Sequence, residues 1–357
     1  MIPSIRPSLR ELYCARLREF YRQPARVFWV YGFPMIMALV LGLAFQNRPP
    51  ESAAVVVAEG PGSESIVAAL SVPEAREGRA GRPGLRVTTR PFAEADRRLR
   101  TGREILVIEP RTDGGVVYHY DPTRAEANLA RAAVDDVLQR AQGRVDVFEP
   151  KDALVQEPGS RYIDFLIPGL IGLNTMGGGL WGIGFFLVNM RIGKLLKRFA
   201  ATPMPRQDFL LALLGSRLTF LLPDVTVLLL LGRLVFGMPI RGSLLTLAVV
   251  VVVGALAFAG IGLLVASRAE TTETVSGLMN AVMIPMWLLS GVFFSSERYP
   301  AAMQPLIQAL PLTQLTSGLR AVILEGVGLE SLVPHLLILS AWAIGTFWVA
   351  LRIFRWS

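Results

Sequence analysis

The sequence predicts an α-helical polytopic membrane protein with six transmembrane helices, both termini in the cytoplasm, and a small extracytoplasmic α/β domain. Of the 357 residues, 52% are hydrophobic, and the mean hydropathy is +0.46. Only 18% are charged, against about a quarter in ordinary soluble domains. Long uncharged stretches account for that deficit, and basic residues lie beside them. Segment 46–161 is different, because its charges are mixed and its apolar runs are short.

Six apolar spans are long enough to cross a bilayer, whose core of about 30 Å needs roughly 20 helical residues. We expect the first span to be a retained signal-anchor helix, since a long charged leader precedes it and no small-x-small cleavage pattern follows it. The predicted transmembrane helices are 27–45, 163–190, 209–236, 244–265, 275–294 and 333–354.

The charges beside these spans predict the topology. Residues 1–26 hold six Arg and two Glu, and residues 191–208 hold five basic residues and one Asp. Short basic loops stay on the cytoplasmic side. Two spans separate these flanks, so both are placed in the cytoplasm, and the C-terminus follows after six spans. Segment 46–161 is then outside the cell membrane.

The N-terminal flank, 1–26, is predicted to form a cytoplasmic amphipathic helix. Its apolar residues recur every three or four positions, and its arginines lie mostly on the other side. Two interpretations remain open. The helix lies in the membrane interface, or it packs against other parts of the protein.

Segment 46–161 is predicted to be an α/β domain of roughly 100 residues, a common domain size. β-branched runs predict the strands, and amphipathic runs predict the helices. The predicted strands are Ala53–Ala58, 85–89, 105–108 and Val116–Tyr120, and the predicted helices are Ser63–Leu70, Phe92–Arg100 and 124–142.

Composition excludes several classes of function. The single cysteine and two histidines rule out zinc sites built from several Cys and His ligands. The only Gly-Lys pair, Gly193-Lys194, lacks the rest of a phosphate-binding loop, so ATP hydrolysis by this chain alone is not expected. We expect no catalytic, cofactor or metal site. The excess basic residues lie beside membrane spans, which argues against nucleic acid as a partner.

The third span carries ionisable residues that need an explanation, because an unpaired charge at bilayer depth costs at least about 2.5 kcal/mol. Arg217 is expected to extend its guanidinium toward the cytoplasmic interface. Asp224 lies near mid-helix, on the same helical face but about 10 Å further along the axis. Asp224 is a candidate for the transport pathway or a subunit interface. The alternative is a hydrogen bond to a neighbouring helix that only stabilises the structure.

The second span is rich in glycine. Gly178 and Gly182 have the spacing that lets two helices approach closely. They are candidates for a subunit interface or for packing within one subunit, and the latter is favoured.

Residues 191–208 resemble the coupling segment of type-2 ABC exporter permeases. They combine a basic, leucine-containing helix with the Ala201-Thr202-Pro203 turn. Segment 290–320 is similar to the short re-entrant helices before the last span of that family, here placed at 295–320. The large outer domain, which includes Tyr120-Asp121-Pro122, resembles a subgroup that has an α/β domain between the first two helices.

This resemblance implies where a separate ATPase docks. A short stiff helix with apolar and basic side chains suits a groove on a partner protein, although a solvated loop that only sets topology is the alternative. The implied coupling residues are Lys194, Leu195, Leu196, Lys197, Arg198, Phe199, Thr202 and Pro203, of which Leu195, Leu196 and Phe199 are expected to form an apolar docking patch.

The resemblance implies the permease subunit of an ATP-driven ABC exporter in a bacterial inner membrane, with a drug-like, lipid-like or polymeric substrate, as in multidrug efflux. ATP and Mg²⁺ would bind the partner ATPase, and a second, identical or different permease chain would complete the transporter. Two alternatives stay open. One is a secondary transporter driven by an ion gradient, and the other is a sensor with an outer ligand-binding domain.

Overall fold

The computed structural model describes residues 7–44, 52–72, 84–145, 148, 161–202 and 205–354. The chain divides into two compact units. One is Asn47–Gln156, here called the outer unit after its predicted location, and the other combines Met1–Gln46 with Glu157–Ser357 and is called the membrane unit.

Helices dominate the described residues, and four short strands are confined to the outer unit. The helices are α1 (Pro7–Tyr21), α2 (Pro24–Ala44), α3 (Ser63–Leu70), α4 (Phe92–Arg100), α5 (Ala125–Ala141), α6 (Tyr162–Ile192), α7 (Leu195–Ala200), α8 (Arg206–Phe236), α9 (Leu244–Arg268), α10 (Thr272–Leu289), α11 (Gln304–Ala309), α12 (Pro311–Arg320) and α13 (Val333–Ile353). The strands are β1 (Ala53–Ala58), β2 (Leu85–Arg90), β3 (Leu106–Pro110) and β4 (Val116–Tyr120).

In the described part of the chain, five helices are long and apolar enough to cross a membrane: α2, α6, α8, α9 and the helix that contains α13. They coincide with predicted spans one, two, three, four and six. The fifth predicted span is represented by α10, which ends at Leu289 rather than at residue 294, because the chain turns at Gly291 with a φ of 70°. Polar residues in its first turn make α10 less apolar than the other five. The count of six spans and the sidedness of the termini stay predictions.

Helix α9 lies at the centre of the membrane unit and packs against α6, α12 and α13. The helix begins after Ser243, whose hydroxyl accepts a hydrogen bond from the Leu245 amide at 3.2 Å. It approaches α6 closely at Gly179 and Gly262, where a Cβ on either residue would meet the backbone of the opposite helix. Glycine at these positions lets the two helices pack at short range.

The segment between α10 and α13 folds back into the membrane unit as α11 and α12. Nearly every residue of α12 is buried. The guanidinium of Arg320 donates to the carbonyl oxygens of Gly291 at 2.6 Å and Phe165 at 3.2 Å, and it lies 3.5 Å from the centre of the Phe165 ring. These bonds hold the end of α12 against α6, in the region where the sequence predicts short re-entrant helices.

The N-terminal helix α1 packs along the first half of α8. Tyr13 and Thr219 share a hydrogen bond of 2.6 Å between their hydroxyls, and the rings of Phe20 and Phe220 stack with centroids 4.1 Å apart. The Ser8 hydroxyl donates to Asp208 at 2.5 Å. One face of this helix therefore packs against protein, which was the second interpretation of its amphipathic pattern.

The outer unit contains one four-stranded sheet in the order β2-β1-β3-β4. β1 is parallel to β2 and β3, whereas β3 and β4 form an antiparallel hairpin. Val55 pairs with Val87 on one side and Leu106 on the other. Helices α3 and α5 cover one face with a larger apolar cluster, and α4 covers the other face through Ala95 and Leu99.

Candidate functional site

The predicted coupling segment starts with a sharp turn. Lys194 has a φ of 56° and precedes α7, a left-handed conformation that non-glycine residues rarely adopt. Before this turn, the Arg191 guanidinium donates to the carbonyl oxygens of Ala266 at 2.8 Å and Ala269 at 2.6 Å. A cation at this end of α9 satisfies carbonyls that have no partner within the helix. The turn sets the direction of α7 at the end of α6, and the Arg191 bonds hold that end of α6 against the end of α9.

The exposed surface of α7 differs from the predicted apolar patch. Leu196 is only 1% exposed and packs in the core, so its assignment to a docking surface is wrong. Phe199 is partly buried against Phe209, with ring centroids 5.7 Å apart. Leu195 is 41% exposed. Of the other predicted coupling residues, Lys194, Lys197, Arg198 and Thr202 are exposed, whereas Pro203 lies outside the described residues.

A buried polar cluster joins α6 and α8 at Arg217, Asp224 and Asn174. The Asn174 amide donates to the Asp224 carboxylate at 3.0 Å, and the Arg217 guanidinium donates to the Asn174 carbonyl oxygen at 3.2 Å. Arg217 is 8% exposed and Asp224 is 3% exposed. The expectation that Arg217 reaches the interface is therefore wrong, because its guanidinium is held at the α6 backbone. Among the described residues no salt bridge links Arg217 directly to Asp224, and Asn174 bonds to both.

Gly178 provides the space that Arg217 occupies. A Cβ on Gly178 would overlap the guanidinium of Arg217, and a Cβ on Gly182 would lie 3.6 Å from the Arg217 Cδ. Both glycines of the predicted G-x-x-x-G pair therefore face α8 of the same chain. This placement corresponds to packing within one subunit.

A cavity of about 630 Å³ opens beside this cluster within the membrane unit. Helices α1, α2, α6, α8 and α10 line it, and Asn174, Gly178, Gly182, Arg217 and Asp224 all contribute to its wall. Aromatic side chains from each of the five helices cover much of the remaining wall. The indole N–H of Trp181 donates to the Met283 sulfur at 3.0 Å, which ties α6 to α10 at one side of the cavity.

A second charged group lies where α1 and α2 line the cavity. Glu19 accepts hydrogen bonds from Arg16 at 3.0 Å and from Arg26 at 3.3 Å. The Arg16 guanidinium also lies 3.5 Å from the centre of the Phe186 ring. Burial lowers the pKa of the Arg16 guanidinium, whereas the ion pair with Glu19 raises it. Arg16 and Arg26 line the cavity, so it has charged groups in two places.

Two cavity-lining helices contain π-helical turns, Phe28–Gly32 in α2 and Leu180–Phe185 in α6. Trp29 lines the cavity from the first turn, and Trp181 from the second. π-Helical turns are rare and are frequently found at functional sites. Both turns contribute to the wall of one cavity, and a third π-helical turn, Ala321–Glu325, lies outside it.

Several cavity residues were not predicted as functional. Asn174 could have been noticed as an amide within an apolar span, but its two partners depend on how α6 and α8 meet. Arg16 and Arg26 were interpreted only as topology signals. In the described residues no group of three or more His, Cys, Asp or Glu side chains is placed to hold a metal ion.

The family model of the ABC-2 family transporter proteins matches residues 25–352. This chain belongs to the ABC-2 transporter family. The match runs from the second residue of α2 to the penultimate residue of α13, so it includes the cavity-lining parts of α6, α8 and α10. The ABC-2 assignment makes this chain a multi-pass membrane protein and the permease subunit of an ABC transporter.

This ABC-2 permease is similar to proteins that are named as ABC transporters or transport permeases. It is 26% identical over 284 residues to the probable multidrug ABC transporter permease YbhS of Escherichia coli, covering 74% of this chain and 71% of the relative. It is 27% identical over 173 residues to the inner membrane transport permease YhhJ of the same organism, covering 48% and 46%. It is 30% identical over 198 residues to ABC transporter G family member 20 of Dictyostelium discoideum, covering 54% of this chain but only 27% of that protein.

Proposed function

We propose that this chain is the membrane-spanning subunit of an ATP-driven exporter that binds its substrate in the cavity beside Arg217 and Asp224. The cavity itself is the observation that carries the proposal. Charged residues are costly in a membrane and are commonly functional there. Arg217 and Asp224 both lie in one wall of this cavity. Its substrate is drug-like, lipid-like or polymeric, and the name of YbhS as a probable multidrug permease favours the first class.

The proposed topology has six spans, with α10 as the fifth and both termini in the cytoplasm. In that orientation, α2 and α8 start on the cytoplasmic side. The lining residues of α2, Arg26 to Phe33, belong to its first half, and those of α8, Leu213 to Asp224, run from its first half to just beyond its midpoint. The cavity then extends from the cytoplasmic half past the middle of the membrane, and a substrate for export is loaded from the cytoplasmic side. The names of the E. coli relatives support a bacterial inner membrane.

A separate ATPase is proposed to dock on α7 and to carry the ATP and Mg²⁺. The exposed Leu195, with Lys194, Lys197 and Arg198 around it, offers an apolar contact inside a basic rim. The buried Leu196 anchors this helix in the core, and Arg191 ties the preceding end of α6 to α9. Force applied to α7 therefore reaches α6 directly and α9 through Arg191. Rigid attachment of this kind is needed if closure of the ATPase is to switch the permease between two states.

A second permease chain, identical or different, is proposed to complete the transporter. Many apolar side chains of the membrane helices are exposed, and lipid and a second chain would share that surface. The outer unit is proposed to lie outside the membrane. There it gates the transport pathway, binds substrate or contacts another envelope protein.

The experiment that tests the docking proposal compares two leucines of equal exposure. Leu195→Asp places a charge on α7. Leu329→Asp, at a residue that is also 41% exposed, places a charge before α13, on the opposite side of the membrane in the proposed topology. Each variant would be co-expressed with the ATPase, purified by a tag on the permease, and assayed for bound ATPase and ATP hydrolysis.

We expect Leu195→Asp to lose the ATPase while Leu329→Asp retains it. Equal retention of the ATPase and its activity by both variants would contradict docking on α7. A permease that purifies without any ATPase and moves substrate with a proton gradient would instead support a secondary transporter.

A further inference from the structure

The cavity in the membrane unit has an excess of positive charge. Arg16, Arg26 and Arg217 line it, and Asp224 is the one carboxylate among the lining residues. Glu19 binds both Arg16 and Arg26 but does not line the cavity. When Glu19 is counted against the first two arginines and Asp224 against Arg217, one positive charge remains.

Arg217 keeps hydrogen-bond donors available. A guanidinium has five N–H donors, and that of Arg217 makes one hydrogen bond, to the Asn174 carbonyl oxygen. The Asp224 carboxylate accepts one hydrogen bond, also from Asn174. Unsatisfied donors in a low-dielectric site bind an anion more strongly than donors in water do.

The rest of the wall is apolar and aromatic. Trp29, Trp181 and Trp287 come from three different helices, and together they would surround the apolar body of a ligand. Pockets of this kind commonly combine an apolar wall with a few polar groups that orient the ligand. The ligand should therefore be amphipathic, with an apolar body and a small charged head.

Aromatic walls also attract organic cations. A cationic ligand must therefore be compared with an anionic one. One ring, Phe186, is already occupied by the Arg16 guanidinium at 3.5 Å. With Glu19 and Asp224 counted, the charged groups at the cavity leave one positive charge. That charge repels a ligand cation and attracts an anion, so the balance favours the anion.

From this geometry we infer that the cavity binds an amphipathic organic anion, with a carboxylate, sulfonate or phosphate head near the arginines and an apolar body against the tryptophans. This inference rests on the proposed function only for the statement that the bound anion is the transported substrate. The ligand could come from the membrane, as an acidic lipid, or from the cytoplasm, as a soluble molecule.

Binding is measured by isothermal titration calorimetry with the full-length permease in neutral maltoside detergent. Three probes have the same apolar body: 1-naphthylacetate is an anion, 1-naphthylmethylammonium is a cation, and 1-naphthaleneethanol is neutral. We expect the anion to bind about tenfold more tightly than either of the others, because it gains charge-assisted hydrogen bonds. Equal affinities, or tighter binding of the cation, would overturn the inference.

Variants locate the binding site. Arg26→Gln is expected to reduce the affinity for 1-naphthylacetate about tenfold, whereas Arg22→Gln, four residues earlier and not in the cavity wall, should leave it unchanged. Glu19→Gln removes a carboxylate that competes for Arg16 and Arg26, so it should increase the affinity by roughly fivefold. A gain of affinity cannot result from misfolding. Loss of affinity in Glu19→Gln, or equal effects of Arg22→Gln and Arg26→Gln, would contradict the site.

The source of the ligand is tested in nanodiscs of phosphatidylcholine with and without phosphatidylglycerol. Weaker binding of 1-naphthylacetate in the presence of phosphatidylglycerol supports a membrane lipid, and unchanged binding supports a soluble anion. None of these measurements needs an ATPase. Anion selectivity without any ATPase coupling would therefore support this inference and contradict the proposed function. ATP-driven transport without anion selectivity would support the proposed function and contradict this inference.

Discussion

The side-chain amide of Asn174 lies 3.0 Å from the carboxylate of Asp224 and donates a hydrogen bond to it. The carbonyl oxygen of the same Asn174 accepts a hydrogen bond from Arg217. One residue of α6 therefore bonds to two charged residues of α8 that are too far apart along their helix to form a salt bridge with each other.

The bridge predicts that Asn174→Leu destabilises the permease, because Asp224 loses its donor while it stays buried. The expected loss is about 1–3 kcal/mol, measured as a lower midpoint of thermal unfolding in detergent. Asn280→Leu is the control, since Asn280 is exposed on α10. If both variants unfold at the wild-type temperature, the hydrogen bond contributes nothing to stability.

Two neighbouring glycines of α6 give a second prediction. Gly178→Ala places a Cβ against the Arg217 guanidinium and should cost about 1–3 kcal/mol through overpacking. A Cβ on Gly177 meets nothing within 4 Å, so Gly177→Ala should be neutral or up to about 1 kcal/mol more stable, as alanine favours the helix. Thermal unfolding of the two variants separates these effects, and equal midpoints would contradict the placement of Arg217.

The two leucines of α7 predict opposite outcomes for the same substitution. Leu196→Asp buries an unpaired charge in the core and should destabilise the protein by more than about 3 kcal/mol. Leu195→Asp should leave the unfolding midpoint near the wild-type value, since its side chain already meets solvent. A stable, monodisperse Leu196→Asp protein in size-exclusion chromatography would show that Leu196 is not buried.

Local sequence rules predicted much of the fold. In the outer unit, Ala53–Ala58, Ser63–Leu70, Phe92–Arg100 and Val116–Tyr120 form the predicted elements with the predicted bounds, since alternation, helical periodicity and turn residues all agree there. The long apolar helices could also be predicted, because hydropathy alone indicates them. The end of α10 was missed by five residues, since Phe293 and Phe294 continue the apolar run beyond the turn at Gly291.

The site was predicted only in part. Arg217, Asp224, Gly178 and Gly182 were selected because charges and paired glycines are unusual in an apolar span. Their arrangement around Asn174 depends on the rotation of α6 against α8, which periodicity does not give. The same reason applies to Leu196, whose neighbours in sequence are exposed, and to Arg16, which approaches Phe186 only because α1 packs along α8.

Transport by the reconstituted complex with Asp224→Asn tests the central claim most directly. The amide keeps an acceptor for Asn174 but removes the negative charge beside Arg217 in the cavity. Purified permease and ATPase in proteoliposomes would be supplied with ATP, and substrate movement would be followed for the wild type and the variant. The account predicts ATP-dependent transport by the wild type and a large loss of transport in a variant that still folds and binds the ATPase. Wild-type transport rates in Asp224→Asn, or transport driven by a proton gradient without ATP, would contradict it.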